Sequence, residues 1–260
     1  MAANQVPPGT FSATLVGLFE KGVRYSTVVD VGCADGHFFL GHKVAGIFPD
    51  AVPLNIDANV IYEPSLKAIK AVTGGEYFIG AATDRVGEVE MAAAAHPYWN
   101  SLVPDDDPYW RKIHHRKTDK TKVAAATLDS LIERFGLKPP FLVKLDVQGG
   151  EAAALRGAAR TLKETHVVIC ETDIDDFETI HGALSTAGFD LYDVTQPNWL
   201  GDRSLGWFYP VYLNRKLSSL KQKTLWAEKD NAAVIQAQVQ RRKDILQHNA
   251  ALLAQLRNIR

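Results

Sequence analysis

Cysteine and methionine are scarce in this chain, with two of each among 260 residues. Two thiols are too few for a disulfide framework or for a metal site built from four thiolates. Cys33 and Cys170 both lie in or beside apolar runs, so we expect two reduced, buried thiols. The sequence therefore excludes a small secreted scaffold that is held together by disulfides.

Long apolar runs are also missing. No stretch approaches the roughly 20 apolar residues that a membrane-spanning helix needs. Residues 1–10 show no basic stretch followed by an apolar core, so no signal peptide is expected. The sequence predicts a cytoplasmic protein without a membrane span.

The near absence of net charge, −1 at pH 7, conceals an uneven distribution. Residues 1–214 carry 19 Lys and Arg against 27 Asp and Glu, whereas residues 215–260 carry 10 against 3. We therefore expect an acidic body domain over residues 1–214 and a basic helical tail over residues 215–260.

Short β-branched runs alternate with helix-like segments along the body, which predicts an α/β fold. The expected architecture is a doubly wound, mostly parallel sheet with helices on both faces and an antiparallel last strand. Strands are expected at residues 28–31, 52–56, 77–82, 141–146, 167–171, 189–194 and 207–213. Helices are expected at residues 38–48, 65–72, 126–132, 151–162 and 176–187.

Residues 96–122 show no periodicity and contain two Tyr-Trp pairs. A long irregular segment inside a domain is usually functional or disordered, and its four large aromatic residues argue against disorder. We predict a substrate loop or a lid here, with an apolar patch that anchors a loose loop as the alternative.

A glycine turn follows the first strand and is the strongest local signal for a ligand site. Three β-branched residues lead to Asp30, and Gly32 and Gly36 then let backbone N–H groups approach a ligand. The turn lacks the Gly-x-Gly-x-x-Gly spacing of a pyrophosphate site, and Asp35 would repel phosphate. S-adenosylmethionine fits this acidic turn, because it carries a sulfonium, an ammonium and a ribose diol but no phosphate. Asp57, at the end of the next strand, would accept both ribose hydroxyls.

Four sequence blocks resemble the FkbM-type S-adenosylmethionine-dependent methyltransferases over roughly residues 26–213. They are DVGCADGHF at residues 30–38, TLD at 127–129, LVKLDVQGGE at 142–151 and LRGA at 155–158. The resemblance implies a class I methyltransferase (Rossmann-like) fold and O-methylation, often of hydroxyls on sugars, glycans or natural products. The family usually places an acid directly before a proline after its second strand. Here Asp57 comes first and Glu63 precedes Pro64, so Glu63 is the fallback ribose ligand.

Two sets of site residues follow from the turn and from this resemblance. Asp146 is the expected base that takes the acceptor proton, and His37 is the second catalytic candidate; His114, His115 and His181 are weaker alternatives. The expected cofactor-binding residues are Asp30, Gly32, Ala34, Asp35, Gly36, His37, Asp57, Ala58 and Ala82.

A divalent metal is a further candidate cofactor. Asp146, Glu171 and Asp173 end neighbouring strands, and oxygen ligands of this kind suit Mg²⁺ or Mn²⁺. A metal would acidify the acceptor hydroxyl and so help a carboxylate that is otherwise a weak base. The alternative is a set of solvated carboxylates at the rim of the site.

Two other function classes are alternatives to a methyltransferase that acts on a sugar or glycan. One is a nicotinamide-dependent oxidoreductase, which the missing Gly-x-Gly-x-x-Gly disfavours. The other is a non-catalytic protein that works through its tail. Positions in the tail that step by three and four from Ala232 to Leu256 are apolar except Arg242 and Asn249, which is typical of a coiled-coil seam with two polar interruptions. We expect self-association there, with a helix lying on the body as the alternative. A basic helix could also contact an anionic glycan or a membrane surface, and no nucleic-acid partner is expected.

Overall fold

The computed structural model describes residues 7, 9–93, 119–221, 236, 239–245 and 247. The chain divides into two compact units, residues 1–218 and residues 219–260. The first unit holds both sheets and every residue of the candidate site.

An eight-stranded sheet organises the first unit. Its order is β10-β11-β8-β7-β1-β2-β3, and the short strand β9 pairs with β11. The strands of this sheet are β1 (Thr27–Val31), β2 (Val52–Asp57), β3 (Glu76–Ile79), β7 (Phe141–Leu145), β8 (Thr165–Cys170), β9 (Thr172–Asp173), β10 (Phe189–Trp199) and β11 (Leu205–Asn214). The strands from β8 to β3 are parallel, while β11 is antiparallel to both β10 and β8. This arrangement confirms the α/β fold and the antiparallel last strand.

Helices connect the parallel strands. They are α1 (Phe11–Glu20), α2 (His37–Gly41), α3 (Val44–Ile47), α4 (Glu63–Thr73), α5 (Leu128–Phe135), α6 (Glu151–Arg156) and α7 (Phe177–Thr186), with 3₁₀ turns at Val60–Tyr62, Thr161–Glu164 and Arg215–Leu220. Local sequence explains their ends. The Thr127 hydroxyl caps α5, and Gly74 and Gly136 adopt left-handed conformations that end α4 and α5.

The central strands are buried on both faces. Every residue of β1 and β7 is buried, and Leu54 of β2 and Leu142 and Leu145 of β7 are fully enclosed. Parallel strands buried on both sides need continuous apolar runs, and this requirement explains the β-branched run before Asp30. The carboxyl ends of β1, β2, β7 and β8 consequently meet at one edge of the sheet.

A second, three-stranded sheet was not predicted. It has the order β4-β6-β5 and consists of β4 (Ala81–Ala82), β5 (Gly87–Ala93) and β6 (Asp119–Ala126). The first residues of β6 are charged and polar, so no apolar run marks this strand in the sequence. Gly80 separates β3 from β4, so the strand expected over 77–82 is two strands in different sheets.

Two predicted helices are shorter than expected. The helix expected over 38–48 is broken between α2 and α3, where Lys43 has a φ of 61°. The helix expected over 151–162 ends at Arg156, and a Cβ on the next residue, Gly157, would lie 2.0 Å from the Thr83 carbonyl oxygen. The loop that contains Thr83 therefore packs directly against the residue that follows α6.

The predicted lid and the tail are described only in small part. Most of the lid, residues 96–118, lies outside the described residues. In the tail, residues 239–245 are helical and Val239 and Ile245 are exposed, but most seam positions lie outside the described residues. Self-association therefore stays a prediction. In the described part of the chain, no helix is long and apolar enough to cross a bilayer.

Candidate functional site

The glycine turn lies where β1 ends, between β2 and β7. Gly32 has a φ of 72°, and a Cβ at this position would lie 1.7 Å from the Asp146 carbonyl oxygen. Its amide and that of Cys33 donate to the Ile56 carbonyl at 2.8 and 3.1 Å. Only glycine fits here, because the ends of β1 and β7 almost touch.

Asp57 binds this turn directly. Its Oδ2 accepts a hydrogen bond from Ala34 N at 2.9 Å, and its Oδ1 accepts one from Asn59 N at 2.8 Å. Burial raises the pKa of Asp57, although these two amides oppose the shift. A carboxylate oxygen has two lone pairs, so each oxygen keeps one for a further donor such as a ribose hydroxyl.

The other predicted cofactor-binding residues differ in how exposed they are. Asp35 and His37 are exposed, Ala34 and Ala58 are half-buried, and Gly36 is enclosed beside Ile69. Ala82 belongs to β4 and is only 1% exposed within the core, so its methyl group is not accessible to a ligand. Glu63, the fallback ribose ligand, pairs with Lys67 at 3.1 Å and accepts from the Tyr77 hydroxyl at 3.2 Å.

Lys144 is the central buried cation of the site. It lies opposite Asp30 in the β1–β7 register. Its Nζ is 3.2 Å from Asp30 Oδ1, 3.1 Å from Asp146 Oδ2 and 3.0 Å from the Gly32 carbonyl oxygen, to which it donates. The ammonium thus joins the glycine turn to the end of β7. Burial alone would lower the pKa of Lys144, but the charges of Asp146 and Asp30 outweigh burial and raise it.

Asp30 and Asp146 differ in accessibility. The Asp30 side chain is 0% exposed, whereas that of Asp146 is 23% exposed. Burial raises the pKa of Asp30 despite its ion pair with Lys144. Asp30 therefore forms an internal ion pair with Lys144. Because its side chain is fully buried, it does not make the contact with a cofactor that was predicted for it. Asp146 is the carboxylate of the pair that a substrate can reach.

A second carboxyl group, Glu171 at the end of β8, is linked to Asp146 by shared hydrogen-bonding partners. The Tyr209 hydroxyl lies 3.1 Å from Asp146 Oδ2 and 3.0 Å from Glu171 Oε1. Gln148 Nε2 lies 3.2 Å from Asp146 Oδ1 and 2.5 Å from Glu171 Oε2. Three strands and the loop after β7 thus converge on one buried carboxyl pair.

The two carboxyl groups of this pair have opposite pKa shifts. Burial alone would raise the pKa of Asp146, but the Lys144 ammonium and hydrogen bonds from Glu171 and Tyr209 hold it below its usual range. Burial and the Asp146 charge raise the pKa of Glu171 well above its usual range. As the pH rises, Asp146 is therefore the member of the pair that loses its proton first, and Glu171 is the member that keeps its proton to higher pH.

Glu151 shapes the loop that follows β7. Its Oε1 accepts from Val147 N at 2.8 Å, and its Oε2 accepts from Gly149 N at 2.9 Å. Burial raises the pKa of Glu151 to about 7. Gln148, between these two amides, has a φ of 54°, and the loop directs its side chain at the carboxyl pair.

The motif residues Thr127 and Asp129 are structural. Asp129 accepts hydrogen bonds from the backbone N–H groups of Arg160 and Thr161 and from the Thr161 hydroxyl, at 2.7 to 3.1 Å. These bonds tie α5 to the segment after α6. They leave Asp129 no role at the carboxyl edge of the sheet.

The structure does not support the predicted metal site. The carboxylates of Asp146 and Glu171 are already engaged by Lys144, Tyr209 and Gln148. Asp173 lies in β9, paired with Trp207. Among the described residues, no group of three or more His, Cys, Asp or Glu side chains is placed to hold a metal ion.

The two histidine candidates in the described part of the chain contact other aromatic rings. His37 begins α2, and its ring packs edge-on against His42 at 4.9 Å. His181 is half-buried on α7, where it stacks on Phe177 and lies beside Tyr212, and its role as a base stays a prediction. His114 and His115 lie outside the described residues.

Sequence reasoning missed four residues of this site. Lys144, Gln148 and Glu151 lie in the quoted block at 142–151, but a motif alone did not show that they bind one another and the turn. Tyr209 had no sequence signal, because it is one aromatic residue in an apolar strand far along the chain.

The chain matches the profile of one protein family. The sequence profile of the methyltransferase FkbM domain matches residues 41–191, more than half of the chain. No curated protein sequence matches the chain.

Several solved structures are similar to parts of this chain. Methyltransferase FkbM from Methylobacillus flagellatus KT is 18% identical with a TM-score of 0.45; the match covers 71% of this chain, which spans only 43% of that protein. Precorrin-6y C5,15-methyltransferase from Geobacter metallireducens GS-15 is 9% identical over 78% of this chain and 88% of its own, with a TM-score of 0.40. Sp1610 from Streptococcus pneumoniae is described as a proposed tRNA (m1A22) methyltransferase, and its structure holds S-adenosyl-L-methionine. It is 12% identical over 84% of this chain and 75% of its own, with a TM-score of 0.41.

The family assignment rests on the domain match, which spans the strands β2, β7 and β8 and the loop that Glu151 shapes. The chain belongs to the FkbM-domain methyltransferases.

Proposed function

We propose that the protein is an S-adenosylmethionine-dependent O-methyltransferase that acts on a hydroxyl of a sugar or glycan. The observation that carries the proposal is the partly exposed, ionised Asp146 beside the glycine turn, with Lys144 joining the two. The family match supports methyl transfer, and the residues at the site support a hydroxyl acceptor.

The residues at the turn fit the methyl donor. Asp57 would hold the ribose diol with its remaining lone pairs, while close contacts with the Asp146 carbonyl oxygen and Ile69 require glycine at positions 32 and 36 and so set the shape of the turn. When bound, S-adenosylmethionine supplies a methyl group on a positively charged sulfur. Asp35 is exposed at the turn, where its charge favours a cationic ligand over a phosphate.

Asp146 would receive the proton that the acceptor hydroxyl loses. Its Oδ2 contacts Lys144 and Tyr209, its Oδ1 contacts Gln148, and its carboxylate also accepts a hydrogen bond from Glu171. A carboxylate with a lowered pKa is a weak base for a neutral alcohol. It suffices when the proton leaves late, because an oxygen that is gaining a methyl group becomes strongly acidic. Positioning then supplies most of the rate.

Glu171 and Tyr209 would act as positioning residues. Burial, Asp146 and Glu171 raise the pKa of Tyr209, so its hydroxyl remains a donor between the two carboxyl groups. The protonated Glu171 fixes the orientation of Asp146 without adding a second charge to the site.

Labelled methyl transfer tests the proposal. We expect transfer from labelled S-adenosylmethionine to at least one member of a panel of glycans and nucleotide sugars, and calorimetric binding of S-adenosylhomocysteine. Asp57→Ala should weaken S-adenosylhomocysteine binding by roughly tenfold or more, which is the cost of a lost bidentate charged acceptor. The matched control is Asp50→Ala, an exposed aspartate that follows α3.

Two outcomes would contradict the proposal. One is tight NAD binding without any response to S-adenosylhomocysteine, which would favour an oxidoreductase. The other is S-adenosylhomocysteine binding that Asp57→Ala leaves unchanged in a folded variant, which would remove Asp57 from the donor site.

A further inference from the structure

We infer that an aromatic strip on β10 and β11 is the acceptor subsite, and that it binds a neutral oligosaccharide. The strip consists of Trp199, Leu205, Trp207 and Tyr209. The inference rests on the proposed function and adds the surface along which the acceptor lies.

Alternating burial along β11 places Leu205, Trp207 and Tyr209 on one face, and Trp199 of β10 pairs with Leu205 across a register shift. Along β11, Leu205, Trp207 and Tyr209 are half-buried, while Gly206, Phe208 and Pro210 between them are buried. The Phe208 ring packs against Phe177 of α7 on the opposite face. The half-buried face is therefore the one on which the Tyr209 hydroxyl meets Asp146 and Glu171.

The strip leads outward from the carboxyl pair. Because β11 is antiparallel to β8, its first residues lie at the edge where β8 ends. The side chain of Leu205 is about 14 Å along the strand from that of Tyr209, at roughly 3.4 Å per residue. This length suits an oligosaccharide better than a single sugar.

The outer end of the strip is an exposed apolar tip. Trp199 pairs with Leu205 across the hairpin and is 63% exposed. Leu200 and Ile174 are 40% and 45% exposed, and Ile174 N donates to the Gly206 carbonyl oxygen at 2.9 Å. Exposed tryptophan at a hairpin tip costs solubility, so a function in binding accounts for it better than packing does.

The polar groups beside the strip favour a hydroxyl-rich, uncharged ligand. Asp173 pairs with Trp207 across β9 and β11, and Asp175 and Asp202 are exposed nearby; Arg203 is the basic residue of the hairpin turn. Carboxylates accept hydrogen bonds from sugar hydroxyls, while aromatic rings pack against the apolar faces of the sugar. The same carboxylates repel phosphodiesters, and this disfavours an RNA acceptor.

The test measures binding to the full chain saturated with S-adenosylhomocysteine. The probes are maltotetraose, cellotetraose, chitotetraose, glucose and a single-stranded RNA octamer, titrated by calorimetry. We expect at least one tetrasaccharide to bind more tightly than glucose and more tightly than the RNA. Trp199→Ala should weaken that binding roughly tenfold, and Trp199→Phe should restore most of it. S-adenosylhomocysteine affinity should be unchanged in both variants.

The control is Val72→Ala, which removes an 87% exposed apolar side chain from α4 and should leave tetrasaccharide binding unchanged. The inference is overturned if no tetrasaccharide binds while S-adenosylhomocysteine does, or if Trp199→Ala binds the tetrasaccharide as the wild type does. It is also overturned if the RNA binds more tightly and Trp199→Ala weakens that binding. Failure of the wild type to bind S-adenosylhomocysteine would instead overturn the proposed function, and the inference with it.

Discussion

The carboxyl edge of the main sheet has two halves that are built in different ways. The donor half, at the ends of β1 and β2, consists of the turn 32–36 and Asp57, held by hydrogen bonds between a carboxylate and backbone amides. The reaction half lies at the carboxyl ends of β7 and β8 and beside the first part of β11. It consists of Lys144, Asp146, Glu171 and Tyr209, which are held by contacts between side chains.

This difference determines what each half can tolerate. Backbone amides are present whatever the side chains are, so the donor half depends chiefly on glycine at a few positions. The reaction half depends on a balance of charges, because one ammonium faces two carboxylates that are buried with it. Removal of one member leaves an uncompensated buried charge, and this is costly.

Removal of the Asp146 charge should have the largest effect and should be confined to the reaction half. We expect Asp146→Asn to lower kcat for methyl transfer by roughly 10²- to 10⁴-fold, the usual contribution of a positioned proton acceptor. S-adenosylhomocysteine affinity should change little. Steady-state kinetics together with calorimetry measures both quantities. The control is Glu171→Gln, which should lose far less activity because glutamine resembles the neutral form of Glu171. Equal losses in both variants would refute the division of roles.

Lys144→Met should destabilise the protein by about 3–5 kcal/mol, because Asp30 and Asp146 lose their shared cation inside the protein. Urea unfolding measures the loss. The matched control is Lys70→Met, which removes the cation of the exposed Lys70–Glu76 pair, 2.6 Å apart, and should cost under about 1 kcal/mol. Similar costs in the two variants would show that the buried network contributes no more than a surface pair.

Gly32→Ala tests the contact between the two halves and should cost about 2–4 kcal/mol. The new methyl group would combine a left-handed φ of 72° with a clash against the Asp146 carbonyl oxygen. Gly74→Ala is the control, since Gly74 has a φ of 69° and no neighbour within 4 Å. That variant should lose about 1 kcal/mol, which is the backbone cost alone. Thermal unfolding of both variants isolates the clash, and equal losses would mean that β1 and β7 separate readily.

Glu171→Gln should have the smallest effect on stability, about 1 kcal/mol, and the effect should depend on pH. Because the pKa of Glu171 is raised in the folded state, its contribution is present below the unfolded pKa of about 4.5 and is lost as pH rises through the folded pKa. Glutamine does not titrate, so the variant should lose less stability than the wild type when the pH is raised from about 4.5 upward. Parallel pH dependences of the two proteins, measured by urea unfolding, would contradict the shared proton.

Much of the donor half could be predicted from the sequence. A buried parallel strand requires a β-branched run, a turn with left-handed residues requires glycine, and a strand-end acid beside such a turn indicates a ligand that carries hydroxyls and positive charge. Asp57 and Gly32 lie where those rules put them. Asp30 was misread, since its distance from Lys144 depends on the β1–β7 register.

The reaction half and the second sheet could not be predicted in the same way. The sequence by itself determined the order of the parallel strands of the main sheet, the antiparallel final strand and the motif around Asp146, because each depends on local periodicity or on neighbouring residues. Only the tertiary structure decided that Tyr209 reaches Asp146, 63 positions earlier, and Glu171, 38 positions earlier. Side chains so far apart in the chain meet only after three strands have paired, and their pKa values depend on that meeting. The lowered pKa of Asp146 and the raised pKa of Glu171 are therefore products of the fold.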